Sequence, residues 1–232
     1  MKLAVMQPYF LPYLGYFQLI DQVDKFVILD DVQFIKSGWI NRNYILHGDK
    51  PLLFTIPVHK LSSKSLIRDV KVIYDSGRII KFLKTIKLNY SKSPFFKNII
   101  PLIELTLENV NTNISDFSLT GIKAVNEYLG IKTEIIESSS IYRNINLNGE
   151  ERILDICRQE GADEYFNLSG GIDLYSKELF NSKGIKLNFI RSKKIEYKQF
   201  KSEFTGPLSI IDNLMFNSPD EVKKSLQEFE IF

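Results

Sequence analysis

Apolar and polar positions follow two rhythms along this chain. Near the N-terminus a short apolar run, Leu3 to Met6, is cut off by Gln7-Pro8. A proline has no N–H to give a ladder, so a strand stops there. Pro12 suits the first turn of a helix, where the missing N–H costs nothing. Tyr13, Leu14, Phe17 and Ile20 then recur at helical spacing up to Gln22. A second apolar run, Phe26 to Leu29, closes on Asp30-Asp31. Strand, helix and strand in such short succession predict a βαβ unit.

The middle of the chain changes rhythm. Residues 33–45 mix aromatics with amides and give no clear element. Leu52 to Val58 and Val70 to Tyr74 read as strands, and Ile79 to Leu129 reads as helical, with an amphipathic stretch from Arg78 to Asn89. Pro94 suits a helix start and Pro101 a first turn or a kink. Gly130 is placed as a C-cap. Alternation then returns. Strands are expected at Thr133–Glu137, Tyr165–Leu168 and Lys186–Arg191, and helices at Glu150–Glu160, Tyr175–Ser182, Leu208–Phe216 and Pro219–Phe229. The expectation is one α/β domain over residues 1–232, with a mainly parallel sheet, flanking helices and a helical insertion or subdomain over about 77–130.

Composition adds bounds. Hydrophobic residues make up 44% of the 232 positions and charged residues 25%, ordinary values for a chain with a real core. Thirty basic against 28 acidic residues leave a net charge of +2, which asks for neither a nucleic acid nor an anionic membrane as partner. No apolar stretch approaches the length of a membrane span. Gln7, Pro8 and Pro12 interrupt the N-terminal apolar run too early for a signal peptide. The single cysteine, Cys157, cannot form an internal disulfide and sits at an apolar helical position. A reducing, cytoplasmic setting and a core thiol are expected. His47 and His59 lack clustered Cys or Glu, so the pattern does not point to a metal site.

Four groups of residues could carry chemistry. If the first two strands are parallel neighbours, Gln7 and Asp30-Asp31 lie at the carboxyl edge, where open α/β sheets take ligands. The helix beginning near Pro12 would point its N-terminus there and favour an anion. Asp30-Asp31 also fits a plain polar strand exit. Gln33, Lys36, Trp39, Asn41, Arg42 and Asn43 form a dense polar cluster around the only Trp. Arg42 can grip a carboxylate or phosphate and Trp39 can stack on a ring, or Trp39 can tuck into the core. Ser169-Gly170-Gly171 follows a strand and could bring backbone N–H groups to an anion, although a tight turn fits better. Ser209, Asp212 and Asn213 share one helical face, and a buried Asp212 would need a partner such as Arg42.

The blocks MQPYFLPYLGYFQLID, DKFVILDDVQFIKSGWINRN, FTIPV, NLSGGIDLY and PLSIIDNLMFN resemble the WbqC-like family over nearly the full length. The resemblance implies a place in bacterial O-antigen and related surface-polysaccharide clusters. It implies modification of a nucleotide-linked amino sugar, as by acyl or aminoacyl transfer to its amine. The opening strand, turn and G-Y-F-Q-L-I helix are also similar to the start of pantothenate synthetase, of the nucleotidyltransferase-like α/β group, which activates carboxylates with ATP. That group's G-H falls on Gly15-Tyr16, where tyrosine replaces the phosphate-contacting histidine.

These likenesses imply a nucleotide-sugar substrate and, as co-reactant, either Mg-ATP or an acyl thioester. Lys36 and Arg42 would then bind phosphates, and Asp30 or Asp31 would hold Mg²⁺ or take a proton. With a thioester donor, Asp30 or Asp212 would be the base, while Tyr9 and Trp39 shape the pocket. A non-catalytic scaffold subunit and a glycosyltransferase remain the alternatives.

Overall fold

Five of the seven strands that the apolar runs predict pair in a six-stranded sheet, whose sixth strand, Phe229–Ile231, was expected as helix. A computed structural model describes residues 1–59, 62, 64–74, 76–108, 112–201 and 203–232. Strand β1 (Lys2–Met6) leads through α1 (Leu14–Gln22) to β2 (Lys25–Ile28), parallel to β1 with Met6 opposite Ile28. After a hairpin, β3 (Arg42–His47) and β4 (Lys50–Thr55), come α2 (Ser76–Tyr90), α3 (Phe96–Glu108) and α4 (Ile114–Leu129). The second half runs β5 (Glu134–Ile136), α5 (Gly149–Glu160), β6 (Glu164–Leu168), α6 (Lys177–Ser182), β7 (Lys186–Ser192), α7 (Ile210–Phe216), α8 (Pro219–Leu226) and β8 (Phe229–Ile231). The sheet order is β5-β2-β1-β6-β7-β8, parallel throughout except for β8 at the edge.

The central strands are apolar on both faces because both faces are covered. Ala4, Ile28 and Phe166 look into a core shared with α1, α3, α4 and α8. Leu3, Val5, Val27 and Tyr165 look the other way, onto Ile153, Ile156 and Cys157 of α5 and Phe180 of α6. Local signals set the ends. Asn113 caps α4 by accepting from the Asp116 N–H, and Gly130 ends it at φ +66°. Ser218 and Glu221 form a capping box around Pro219 on α8.

Some expected elements shift. Pro12 precedes the N-cap Tyr13 and so lies outside the first turn of α1. Pro101 sits inside α3, where it leaves the Lys97 carbonyl without its usual donor. Val70 to Tyr74 makes single bridges, Val72 to Val58 and Lys71 to Asn113, in place of a ladder. Pro57 has no N–H to extend the pairing. Residues 109–111, inside the stretch read as helical, lie outside the described residues. The Arg42–His47 strand gave no clear signal, and β8 replaces the expected last turn of the C-terminal helix.

Candidate functional site at the carboxyl edge of the sheet

From β1 the chain moves to β2 and β5 on one side and later to β6 and β7 on the other. The direction of winding therefore reverses between β1 and β6, and open sheets form their ligand crevice at such a point. Gln7 follows β1 and Ser169 follows β6 at this edge, and the Leu29 N–H bonds the Met6 carbonyl 2.8 Å away.

The loop from Gln7 to Tyr13 is tied down at nearly every residue. The Gln7 carbonyl accepts from Tyr16 Oη at 2.9 Å, and the Tyr9 ring lies 5.7 Å from that of Tyr16. Phe10 N–H bonds the Ile40 carbonyl at 2.9 Å. The Leu11 carbonyl accepts from Asn43 Nδ2 at 2.9 Å and Ser209 Oγ at 2.6 Å. Leu11 itself has φ +42°, a strained conformation for a leucine that these two bonds hold in place. Asn43 and Ser209 thus act on the loop's shape. Asn41 pairs with the Ile56 backbone in both directions, at 2.7 Å each way, and fixes the start of β3.

The two carboxylates after β2 are buried and differently engaged. Asp31 Oδ1 accepts from Arg152 of α5 at 2.6 Å and from the Ser139 hydroxyl. Asp30 Oδ1 accepts from Ser138 Oγ at 2.8 Å and the Ser139 N–H at 3.2 Å. Burial pushes the Asp30 carboxyl above the usual carboxylate range; the Ser138 hydrogen bond opposes this and the charge of Asp31 adds to it. Asp31 is thus a structural ion pair, and Asp30 is a buried acid held by serine donors, with no ion pair among the described residues.

Beside this edge lies a cleft of about 470 Å³. One wall is Tyr13, Leu14 and Gly15 at the start of α1. The facing wall is the segment that leaves β7, Ser192 to Tyr197, with Phe204 and Gly206 to Leu208; Ser209 and Asn213 of the α7 region complete it. Tyr13 gives α1 no side-chain cap; the Tyr16 N–H is taken by the Tyr13 carbonyl at 3.1 Å, while Leu14 and Gly15, whose N–H groups open the helix, line the cleft. A Cβ at Gly15 would stand 2.5 Å from the Tyr13 ring, and one at Gly206 would stand 2.7 Å from the Phe204 ring. Both glycines let an aromatic ring lie flat on the backbone.

Asp212 carries the facing wall. It is fully buried and accepts from Tyr90 Oη at 2.9 Å, Tyr197 Oη at 2.7 Å and Gln199 Nε2 at 2.6 Å. These neutral donors correct the expectation that Arg42 would partner it. Burial raises the Asp212 carboxyl above its usual range, and the three donors oppose that rise. Gln199 also bonds the Thr205 backbone in both directions, at 3.0 and 2.8 Å, and closes the loop between them.

The remaining sequence candidates stand apart from the cleft. Trp39 is 48% exposed, so it is no core residue, and the Arg42 guanidinium lies 5.6 Å from its ring centre. Arg42 Nε is buried without a hydrogen-bond partner among the described residues. Lys36 and Gln33 are exposed, and Gln33 bridges to Leu66. Gly170 and Gly171 belong to a 3₁₀ turn over Ser169–Leu174, and Gly171 leaves room for the Asn167 amide, which a Cβ would meet at 3.2 Å. Cys157 is buried, and burial pushes its thiol up to about 12. The sequence reading missed Arg152, Ser138, Ser139, Lys193, Lys194 and Tyr197; three serines directly after β5 and the Lys-Lys pair directly after β7 were the available signals.

A mainly parallel α/β sheet flanked by helices, with a cleft beside its carboxyl edge, is the class these features define. Residues 7–224 match the WbqC-like protein family, and the chain belongs to that family. An uncharacterized protein of Mycobacterium tuberculosis, Rv1507c, is 30% identical over 224 residues, 93% of each chain. No solved structure matches significantly.

Proposed function

We propose that the protein is an enzyme that acylates the amine of a nucleotide-linked amino sugar at the carboxyl edge of its sheet. The single observation that carries this reading is Asp30. It is a buried acid at the carboxyl edge, held by Ser138 and Ser139, with a raised proton affinity and no ion pair among the described residues. A base poised above the ordinary carboxylate range suits proton removal from an attacking amine. The sugar nitrogen attacks the acyl carbon and a C–N bond forms. The C–S bond of a thioester, or the C–O bond of an acyl phosphate made with ATP, breaks, and the amine proton passes to Asp30. The nucleotide-sugar substrate and the amide product are what the family resemblance supports. Arg42, with a buried unpartnered Nε, is a second candidate for gripping an anionic donor.

The test is a thermal-shift panel with Mg-ATP, acetyl-CoA and UDP- and dTDP-linked amino sugars, followed by mass spectrometry of the sugar after incubation with each donor. A ligand at 100 times its dissociation constant adds about 2.7 kcal/mol, a rise in Tm of roughly 5–10 °C for a domain of this size. An N-acylated sugar nucleotide that forms with the natural protein and not with Asp30→Asn is the expected result. Absence of product with every donor, together with the absence of any shift, would overturn the reading and leave a non-catalytic subunit of polysaccharide assembly.

A further inference from the structure

The cleft beside α1 combines features that are independent of one another. The first is the start of α1, where no side chain caps the helix and Leu14 and Gly15 line the cleft. The second is Asn213, 3% exposed and lining the cleft, whose Oδ1 is buried with no hydrogen-bond partner among the described residues. A buried acceptor left unpaired is costly, and a ligand that brings an N–H or O–H relieves the cost. The third is a pair of aromatic rings, Tyr13 and Phe204, one on each wall, each laid flat on its backbone by a glycine. Tyr197, which also lines the cleft, packs edge-on against Phe204 at 4.9 Å.

Charge agrees with this arrangement. Lys193 and Lys194 line the cleft, paired with Glu228 and Glu196 respectively at the surface. Surface pairs of this kind exchange partners at little cost, so both ammonium groups remain available to an anion. A phosphate at the first turn of α1 would meet backbone N–H groups, the helix dipole and these two cations together.

We infer that this cleft is a nucleotide site. The start of α1 takes the phosphates, Tyr13 and Phe204 hold the planar base, and Asn213 Oδ1 accepts a hydrogen bond from an N–H of that base. Phosphate alone explains neither the rings nor the unpaired acceptor, and a base alone does not explain the helix start. Asn213 is a specificity-determining residue here, since every natural base carries an N–H donor for it and pyrophosphate carries none. The inference rests on the proposed function in one respect: the nucleotide placed here is the carrier of the sugar or the activating co-substrate of that reaction.

The experiment is calorimetric titration of the full chain with UDP, dTDP, ADP, uridine and pyrophosphate, repeated for Asn213→Leu and for the double variant Lys193→Gln, Lys194→Gln. One or more nucleotides should bind more tightly than both pyrophosphate and uridine. Asn213→Leu should weaken that nucleotide about tenfold, the equivalent of one hydrogen bond to a buried acceptor, and leave pyrophosphate unchanged. It should also unfold no earlier than the natural chain, because the substitution removes an unpaired buried acceptor. The lysine double variant should weaken nucleotide and pyrophosphate alike and flatten the salt dependence. Binding of pyrophosphate with no gain from the base, or nucleotide affinity unmoved by Asn213→Leu, would overturn the inference. An acylated product formed at the natural rate by the Asn213 and lysine variants would sink this site and spare the proposed reaction. Nucleotide bound here with no acylation would do the reverse.

Discussion

Asp31 and Arg152 form an ion pair of 2.6 Å between side chains only 3% and 6% exposed, and it joins the end of β2 to α5. Arg152 is in turn held by Asn144, whose Oδ1 accepts from its Nε at 3.0 Å. The pair fixes where Asp31 points and so where its neighbour Asp30 stands.

Removing one member should therefore hurt the fold more than the chemistry. Arg152→Met leaves a buried carboxylate without its cation and should cost about 3–5 kcal/mol in denaturant melts. Arg152→Met combined with Asp31→Leu should regain most of that loss. A single variant as stable as the natural chain would show that the pair carries no structural weight.

Asp30 should leave a signature in the pH dependence of stability. Its carboxyl is raised in the folded state, mainly by burial. The folded state then binds a proton more tightly than the unfolded chain does. Its contribution is complete below the unfolded value near 3.8 and is lost as pH rises through the folded value. Asp30→Asn should flatten the fall in stability on the way from pH 4 toward neutrality, as followed by urea melts at successive pH values, and should abolish turnover. A variant whose stability profile parallels the natural one would exclude a raised Asp30.

Asp212 should behave as the anchor of the cleft's outer wall. Asp212→Ala strands the hydroxyls of Tyr90 and Tyr197 and the Gln199 amide. A loss of about 3–5 kcal/mol is expected, together with faster amide exchange over residues 193–205. Exchange that rises uniformly along the chain would deny it that local role.

Cys157 should be inert while the protein is folded. Its thiol is buried and held up at about 12, so thiolate is scarce at neutral pH. Ellman's reagent should find no thiol in the native protein and one per chain in guanidinium. Rapid native labelling would mean that α5 opens readily.

What was legible in the sequence depended on how local the cause was. The β1-α1-β2 unit reads directly, because each strand is a continuous apolar run closed by Pro8 or by Asp30-Asp31. Gln7 and Asp30 follow as edge residues from that topology alone. β3 stayed hidden because Arg42, Asn43 and Tyr44 are only half-buried and its apolar signal is confined to Ile45 and Leu46. β8 is a short edge strand whose Phe229 resembles one more helical position. The partners of the acids lie far along the chain: Ser138 is 108 residues from Asp30, and Arg152 is 121 from Asp31. Asp212 looked like a charge in need of a cation, yet three neutral donors satisfy it. Asn213 appeared as part of a polar stripe, and only the fold sets it against the segment leaving β7.

Gln18, fully buried on α1, donates to the carbonyls of Ser225 and Glu228, 207 and 210 residues further along the chain. The helix whose start lines the cleft is therefore locked by residues that leave the ribosome more than two hundred positions after it. Until they emerge, the first βαβ unit keeps a buried amide without its acceptors and an uncovered apolar side. Order of synthesis and order of completion run opposite ways for α1: the helix beside the cleft is made early and tied down only by carbonyls 207 and 210 residues later.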